Sequence, residues 1–219
     1  MNTAHTREAF IATEPAPSEP WETLEEEQDA ANFGMWLFLV TEILFFGGMF
    51  LVYAVNRVNN PEGFLAGAKA TAISLGTVNA VVLLLSSLTM IMAVQGAAAG
   101  RRSLVWKCLA ATAALGALFL AVKGFEYYGD LKEGLYPGAH FPIALRGAAS
   151  FWGIYWVMTS VHAIHLTVGV VLVARLAWFM SRLTPLALPD LVTIALYWHF
   201  VDTVWIFLYP ILYLPGRAG

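Results

Sequence analysis

Apolar residues fall in five long blocks along this chain, at about 34–55, 71–94, 104–127, 151–179 and 191–214. Each reaches the roughly 20 residues a helix needs to cross a bilayer. None shows the two-residue alternation of a half-buried strand. The pattern predicts an all-α integral membrane protein, with a bundle of five transmembrane helices over 32–219. An odd number of crossings puts the two ends of the chain on opposite sides. Small residues recur within the blocks, in FFGGMF, in HLTVGV and at Ser86–Ser87. They allow close helix contact, either inside one bundle or at a face for a second membrane subunit or a lipid.

Polar residues dominate the segment 1–31. It carries Pro15, Pro17 and Pro20 and then an acidic run over 22–29. The proline part is expected to be extended, and PWETLEEEQDAANF to form a short helix at the membrane surface. No basic leader precedes the first block, so no signal peptide is expected. The longest connection, YGDLKEGLYPGAHFPIALRG, is rich in turn-forming Pro and Gly and leaves room for a contact surface.

Composition agrees with the blocks. The chain is 59% hydrophobic and 12% charged, with mean hydropathy +0.67, whereas soluble domains are about 25% charged. A net charge of −3 without a basic patch excludes nucleic acid as a partner. The lone Cys108 lies in an apolar run and reads as packing. Lys and Arg divide six against six between the two sides. That count leaves the orientation open. The Arg101–Arg102 pair in the tight GRRS turn is the best single signal, because short loops weigh most, and it favours an N-terminus inside.

The candidate chemistry lies in polar groups within the blocks: Glu42, Asn79, Lys123, Glu126, His162, His165, His199 and Asp202. An Asp at mid-bilayer costs roughly 3 kcal/mol on insertion scales, so each needs a partner or a use. Glu42 is about 12 Å along its helix from Gly34, from the rise of 1.5 Å per residue. Because the first and fifth blocks cross in the same direction, Glu42, His199 and Asp202 are expected at similar depth. Lys123 and Glu126 sit near the far end of their block, and an interfacial pair that snorkels is the simple reading. His162 and His165 form an HxxH pair, but no ExxH pair accompanies it as a di-iron bundle would require. No metal site is expected. Interhelical hydrogen bonding is the main reading of these residues. A proton relay is the functional rival, although no broken spans or paired repeats mark a self-contained transporter. Asp202 is expected to find a donor in His199 or in a His, Ser or Thr of a neighbouring span. Arg57, Arg101, Arg102, Arg175 and Arg182 lie near block ends and are candidates for lipid headgroups.

Four stretches carry a family resemblance. MWLFLVTEILFFGGMF resembles the helix with an intramembrane glutamate in subunit III of haem-copper cytochrome oxidases. KGFEYYGDLKEGLYPG resembles that family's FEY segment and following loop, and VHAIHLTVGV its H-x-x-H-x-x-x-G helix. YWHFVDTVWIFLYPILYL is close to its C-terminal signature. The match spans about 33–214 in the family's order. It departs from the mitochondrial form by lacking two N-terminal spans, as five-span bacterial versions do.

The resemblance implies a non-redox accessory subunit without a catalytic centre, haem or copper of its own. Its partners would be the catalytic haem-copper subunit I, subunit II and a small subunit IV, which hold the haem and copper. It implies two groups of helices with a phospholipid in the cleft between them. It also implies support of proton uptake and slower turnover-linked inactivation. His199 and Asp202 would form a buried hydrogen-bonded pair, and Glu42 would be the family's intramembrane carboxylate. The location would be the bacterial inner membrane, with the N-terminus cytoplasmic and the C-terminus outside. WIFLYPILYL favours a cytochrome c oxidase. The alternatives are a quinol oxidase, a nitric-oxide-reductase component or an independent proton carrier.

Overall fold

A computed structural model describes residues 23–138, 141–181 and 188–217, all arranged as helices and short connections. Most of the segment 1–31, including the side chains of Glu25 and Glu27, lies outside the described residues, as does Arg182. The elements are α1 (Leu24–Asn59), α2 (Pro61–Ala70), α3 (Ile73–Ala98), α4 (Arg102–Lys132), α5 (Ala148–Ser181) and α6 (Leu188–Tyr213). All but α2 contain a stretch long and apolar enough to cross a membrane. The chain is therefore a multi-pass membrane protein.

The helices outrun the apolar blocks for local reasons. Thr23 caps α1, its hydroxyl accepting the Glu26 N–H at 3.2 Å. Thr23 and Glu26 have the Ser/Thr-x-x-Glu spacing of a helix start. Residues 24–31 thus continue into the first span rather than forming a separate surface helix. α1 stops before Pro61, since a proline disfavours helical geometry in the residue ahead of it, and Asn60 leaves the helical region at φ −138°, ψ 58°. Pro61 then opens α2, where its missing N–H costs nothing. The apolar blocks do not announce α2, whose buried face is only Gly63, Phe64, Gly67 and Ala68. In the GRRS turn, Gly100 at φ +66° lets the Arg101 N–H reach back to the Gly96 carbonyl at 2.8 Å. This closes α3 as left-handed glycines commonly do. α4 continues through Lys132, absorbing residues that the sequence pattern assigns to the long connection.

α3, α4, α5 and α6 form a four-helix ring in which each touches two neighbours, with α2 lying across α5. α1 leans on α5 and α6 from outside. Its apolar window is only 11% buried, against 50% for α6. Trp36, Leu37, Ile43, Leu44 and Leu51 of α1 are exposed. The five crossings thus divide into the ring of four and α1. An apolar groove of about 400 Å³ runs between α1 and α5, lined by Phe45, Gly48, Val52, Gly153 and Val157. Within the ring, Trp198 is wholly buried between glycines. A Cβ on Gly116 would stand 2.7 Å from its ring, and one on Gly169 3.1 Å. The HLTVGV glycine therefore serves internal packing. Gly47 and Gly48 of FFGGMF face open space, with nothing within 4 Å of an added Cβ.

Candidate functional site

Lys123, Glu126 and Asp130 are spaced i, i+3 and i+7 on α4, so one helix face carries all three. That face turns into the ring. Lys123 is 1% and Glu126 2% exposed, which corrects the expectation of a snorkelling interfacial pair. The cause is a set of partners invisible from α4 alone. The Lys123 ammonium donates to Glu126 Oε2 at 3.1 Å, to Tyr155 Oη of α5 at 2.9 Å and to Tyr213 Oη of α6 at 2.6 Å. Each phenol reaches Glu126 Oε1 at 2.8 Å. Tyr155 Oη also lies 3.1 Å from Asp130 Oδ2. The rings of Tyr127, Tyr155, Trp205 and Tyr213 wall the ammonium at 4.7–5.6 Å from their centroids. Such distances suit cation–π attraction, which strengthens where water is excluded.

A second polar seam joins α3 to α6. Ser87 Oγ and His199 Nδ1 are 2.8 Å apart. Ser86 Oγ approaches Asp202 Oδ2 at 3.4 Å and accepts from Trp198 Nε1 at 3.2 Å. Among the described residues no hydrogen bond joins His199 to Asp202, and Asp202 Oδ1 has no partner. The expected His–Asp pair is therefore replaced by two Ser contacts. The cause is the Ser86–Ser87 pair, which offers a hydroxyl to each of two residues three apart on α6. Tyr209 continues the seam, bonding Thr77 at 2.6 Å.

Glu42 makes a third link. Its Oε2 lies 3.0 Å from His165 Nε2, while His165 Nδ1 lies 2.8 Å from the Val161 carbonyl. A carbonyl only accepts, so Nδ1 carries hydrogen there. The Nε2 contact then holds one proton between imidazole and carboxylate. Both side chains are partly exposed, at 16% and 19%. This link ties α1 to the ring just below the apolar groove.

The HxxH pair does not converge. His165 faces α1, whereas His162 points into the ring between Phe119 and Trp205, with centroids at 5.7 and 5.2 Å. Both its ring nitrogens lack a partner among the described residues, as do both amide atoms of buried Asn79. No group of three or more His, Cys, Asp or Glu suited to a metal ion occurs among the described residues.

The arginines divide. Arg102 donates to the Met180 carbonyl from Nε at 3.1 Å and Nη2 at 2.6 Å. It clamps the end of α5. Arg101 lines a basic pocket with Arg102, Ser103 and Lys107. Arg57 lines a shallow pocket beside Glu62, and Arg175 lies over the Phe179 ring at 5.4 Å. Sequence reasoning missed Asp130, Tyr155 and Tyr213. Only the 123–126–130 spacing could have pointed to Asp130, and tyrosines near span ends look like ordinary interfacial aromatics.

A family model described as cytochrome c oxidase subunit III matches residues 23–217. The cytochrome bo(3) ubiquinol oxidase subunit 3 of Pseudomonas putida is 29% identical over 185 residues, covering 84% of each chain. The quinol oxidase subunit 3 of Bacillus subtilis is 28% identical over 204 residues, covering 91% of this chain and 94% of the relative. The cytochrome c oxidase subunit 3 of Synechocystis sp. is 31% identical over 192 residues, covering 85% and 76%.

Proposed function

This chain belongs to the cytochrome c oxidase subunit III family, and we propose from that premise that it is the non-redox subunit beside the catalytic subunit of a bacterial respiratory haem-copper oxidase. In that role it stabilises the catalytic subunit, retains phospholipid and supports proton uptake during oxygen reduction. The supporting observation is where its intramembrane polar groups go. Lys123, Glu126, Ser87, His199, Glu42 and His165 each tie one helix of this chain to another. An independent carrier would keep such groups along a path. An accessory subunit uses them to hold shape. The N-terminus faces the cytoplasm in this reading, which puts the exposed Glu26 and Asp29 on the proton-uptake side. There an acidic surface raises the local cation concentration.

The test is to purify the complex with and without this chain. The chain should co-purify with a subunit carrying haem and copper. Its removal should leave the haem spectrum intact, lower turnover most at high pH, where bulk protons are scarce, and shorten the active lifetime several-fold. Lost haem absorbance would defeat the accessory reading, and an unchanged pH profile and lifetime would reduce it to a scaffold. Cytochrome c is the donor favoured by WIFLYPILYL, while relatives named as quinol oxidase subunits favour a quinol. Assays with reduced cytochrome c and with a quinol separate the two.

Lipid retention makes its own prediction. An acyl chain should lie in the α1–α5 groove beside Phe45, Val52 and Val157. A phosphate should lie near Arg101 and Lys107. A well-resolved map of the complex showing protein side chains filling that groove would rule this out.

A further inference from the structure

The Lys123 cluster contains more contacts than its obvious donors can supply. Six close contacts connect Lys123, Glu126, Asp130, Tyr155 and Tyr213, leaving aside the 3.4 Å approach of the two phenols. The ammonium brings three hydrogens and each phenol one, so five are at hand. The shortfall falls on Tyr155. Its oxygen accepts from Lys123, and its single hydrogen cannot serve both Glu126 Oε1 at 2.8 Å and Asp130 Oδ2 at 3.1 Å. Charge gives the same count independently. One ammonium faces two carboxyl groups, all nearly excluded from solvent, and a net charge left there is strongly unfavourable. One further proton completes the hydrogen bonds and neutralises the cluster.

We propose that this cluster is a buried proton-binding site, in which Asp130 holds a hydrogen on Oδ2 and donates it to Tyr155 Oη. Glu126 remains the anion because the ammonium bonds it directly, at 3.1 Å. Tyr155 then donates to Glu126, and every contact has its hydrogen. Asp130 lies in the last turn of α4, near the end at which Glu133 forms the cap. It is 6% exposed, against 1% for Lys123.

The surrounding charges are few. On α4, Tyr127 turns its hydroxyl to Thr159 and Ser160, and Lys132 lies over the Tyr128 ring at 4.4 Å. α5 contributes Tyr155 and, farther in, His162 behind Trp205. α6 contributes Tyr213. Among the described residues no ion pair reaches the cluster from α1, α2 or α3. The proposal concerns this chain's core and holds for either electron donor.

Infrared spectroscopy of the full protein, purified with its native partners, tests it. The wild-type minus Asp130→Asn difference should show the carbonyl stretch of a protonated carboxyl, moving to lower wavenumber after transfer to D2O. Carboxyl groups elsewhere cancel in the difference. Tyr155→Phe removes the acceptor of the Asp130 proton, so the same band should move to higher wavenumber. This second variant keeps the test decisive if Asp130→Asn does not assemble. A difference containing only carboxylate bands, or a band unmoved by Tyr155→Phe, would overturn the proposal.

Discussion

Lys123→Met is expected to abolish stable assembly of this chain. The side chain keeps its length and loses its charge, so packing is little changed and electrostatics dominate. Glu126 is then buried at 2% exposure without its cation. Breaking a buried pair by removing one partner typically costs about 3–5 kcal/mol. Tyr155 and Tyr213 also lose the donor that their oxygens accept from. Whole-domain stabilities are about 5–15 kcal/mol, so the loss is a large fraction of the total. The measurement is membrane-extracted yield together with the thermal midpoint of the purified protein. Lys123→Met combined with Glu126→Gln should recover part of the loss, since the amide carries no charge to strand. Residues in contact are coupled in this way. A single Lys123→Met variant with wild-type yield and midpoint would show that the ammonium is dispensable.

Gly63→Ala should be the most damaging single-methyl change in the chain. A Cβ at Gly63 would land on the Arg146 carbonyl oxygen and stand 2.7 Å from the Ala148 backbone nitrogen. Both are main-chain atoms at the start of α5, so neither can rotate away. Gly147 between them is already committed to φ +87° and lies against Asn60. The α2–α5 contact must therefore open. Overpacking costs typically 1–3 kcal/mol, and more when the backbone must move. Gly124→Ala is the control, because nothing lies within 4 Å of its added Cβ. Removing a helical glycine there should stabilise slightly, by about 0.5–1 kcal/mol. Equal thermal midpoints for the two variants would contradict the packing described for α2.

The five crossings were legible because bilayer length and continuous apolarity are coarse signals that tertiary contacts do not override. α2 was not legible. Its burial rests on Phe64 against Phe151 and on Gly63 and Gly67 meeting the start of α5, and a ten-residue element with one large apolar anchor carries little periodic signal. Within the site, the sequence picked out the right side chains but not their partners. Asp202 and His199 stand three apart on α6, and spacing alone suggests that they meet each other. Which neighbour they meet depends on the rotation of α3, which brings Ser86 and Ser87 opposite them. Glu126 was visible as a polar residue within a span. Its burial is not legible in the sequence, because Tyr155 and Tyr213 arrive from positions 29 and 87 residues away. Charge at a helix end reads as interfacial until the aromatic residues that enclose it are located.

Arg217 donates from Nη2 to the carbonyls of Ala68 at 3.2 Å and Lys69 at 2.9 Å, and also to that of Thr71, 146 residues earlier. It thereby satisfies the open end of α2. During synthesis α2 leaves the ribosome long before Arg217 does. The Ala68 and Thr71 carbonyls have local donors in Thr71 and Ile73, but that of Lys69 must wait on water or a lipid headgroup in the interval. Completion of the α2 end is thus a late event in biogenesis. A truncation removing only the last few residues would leave every span intact yet arrest the protein in that unfinished state.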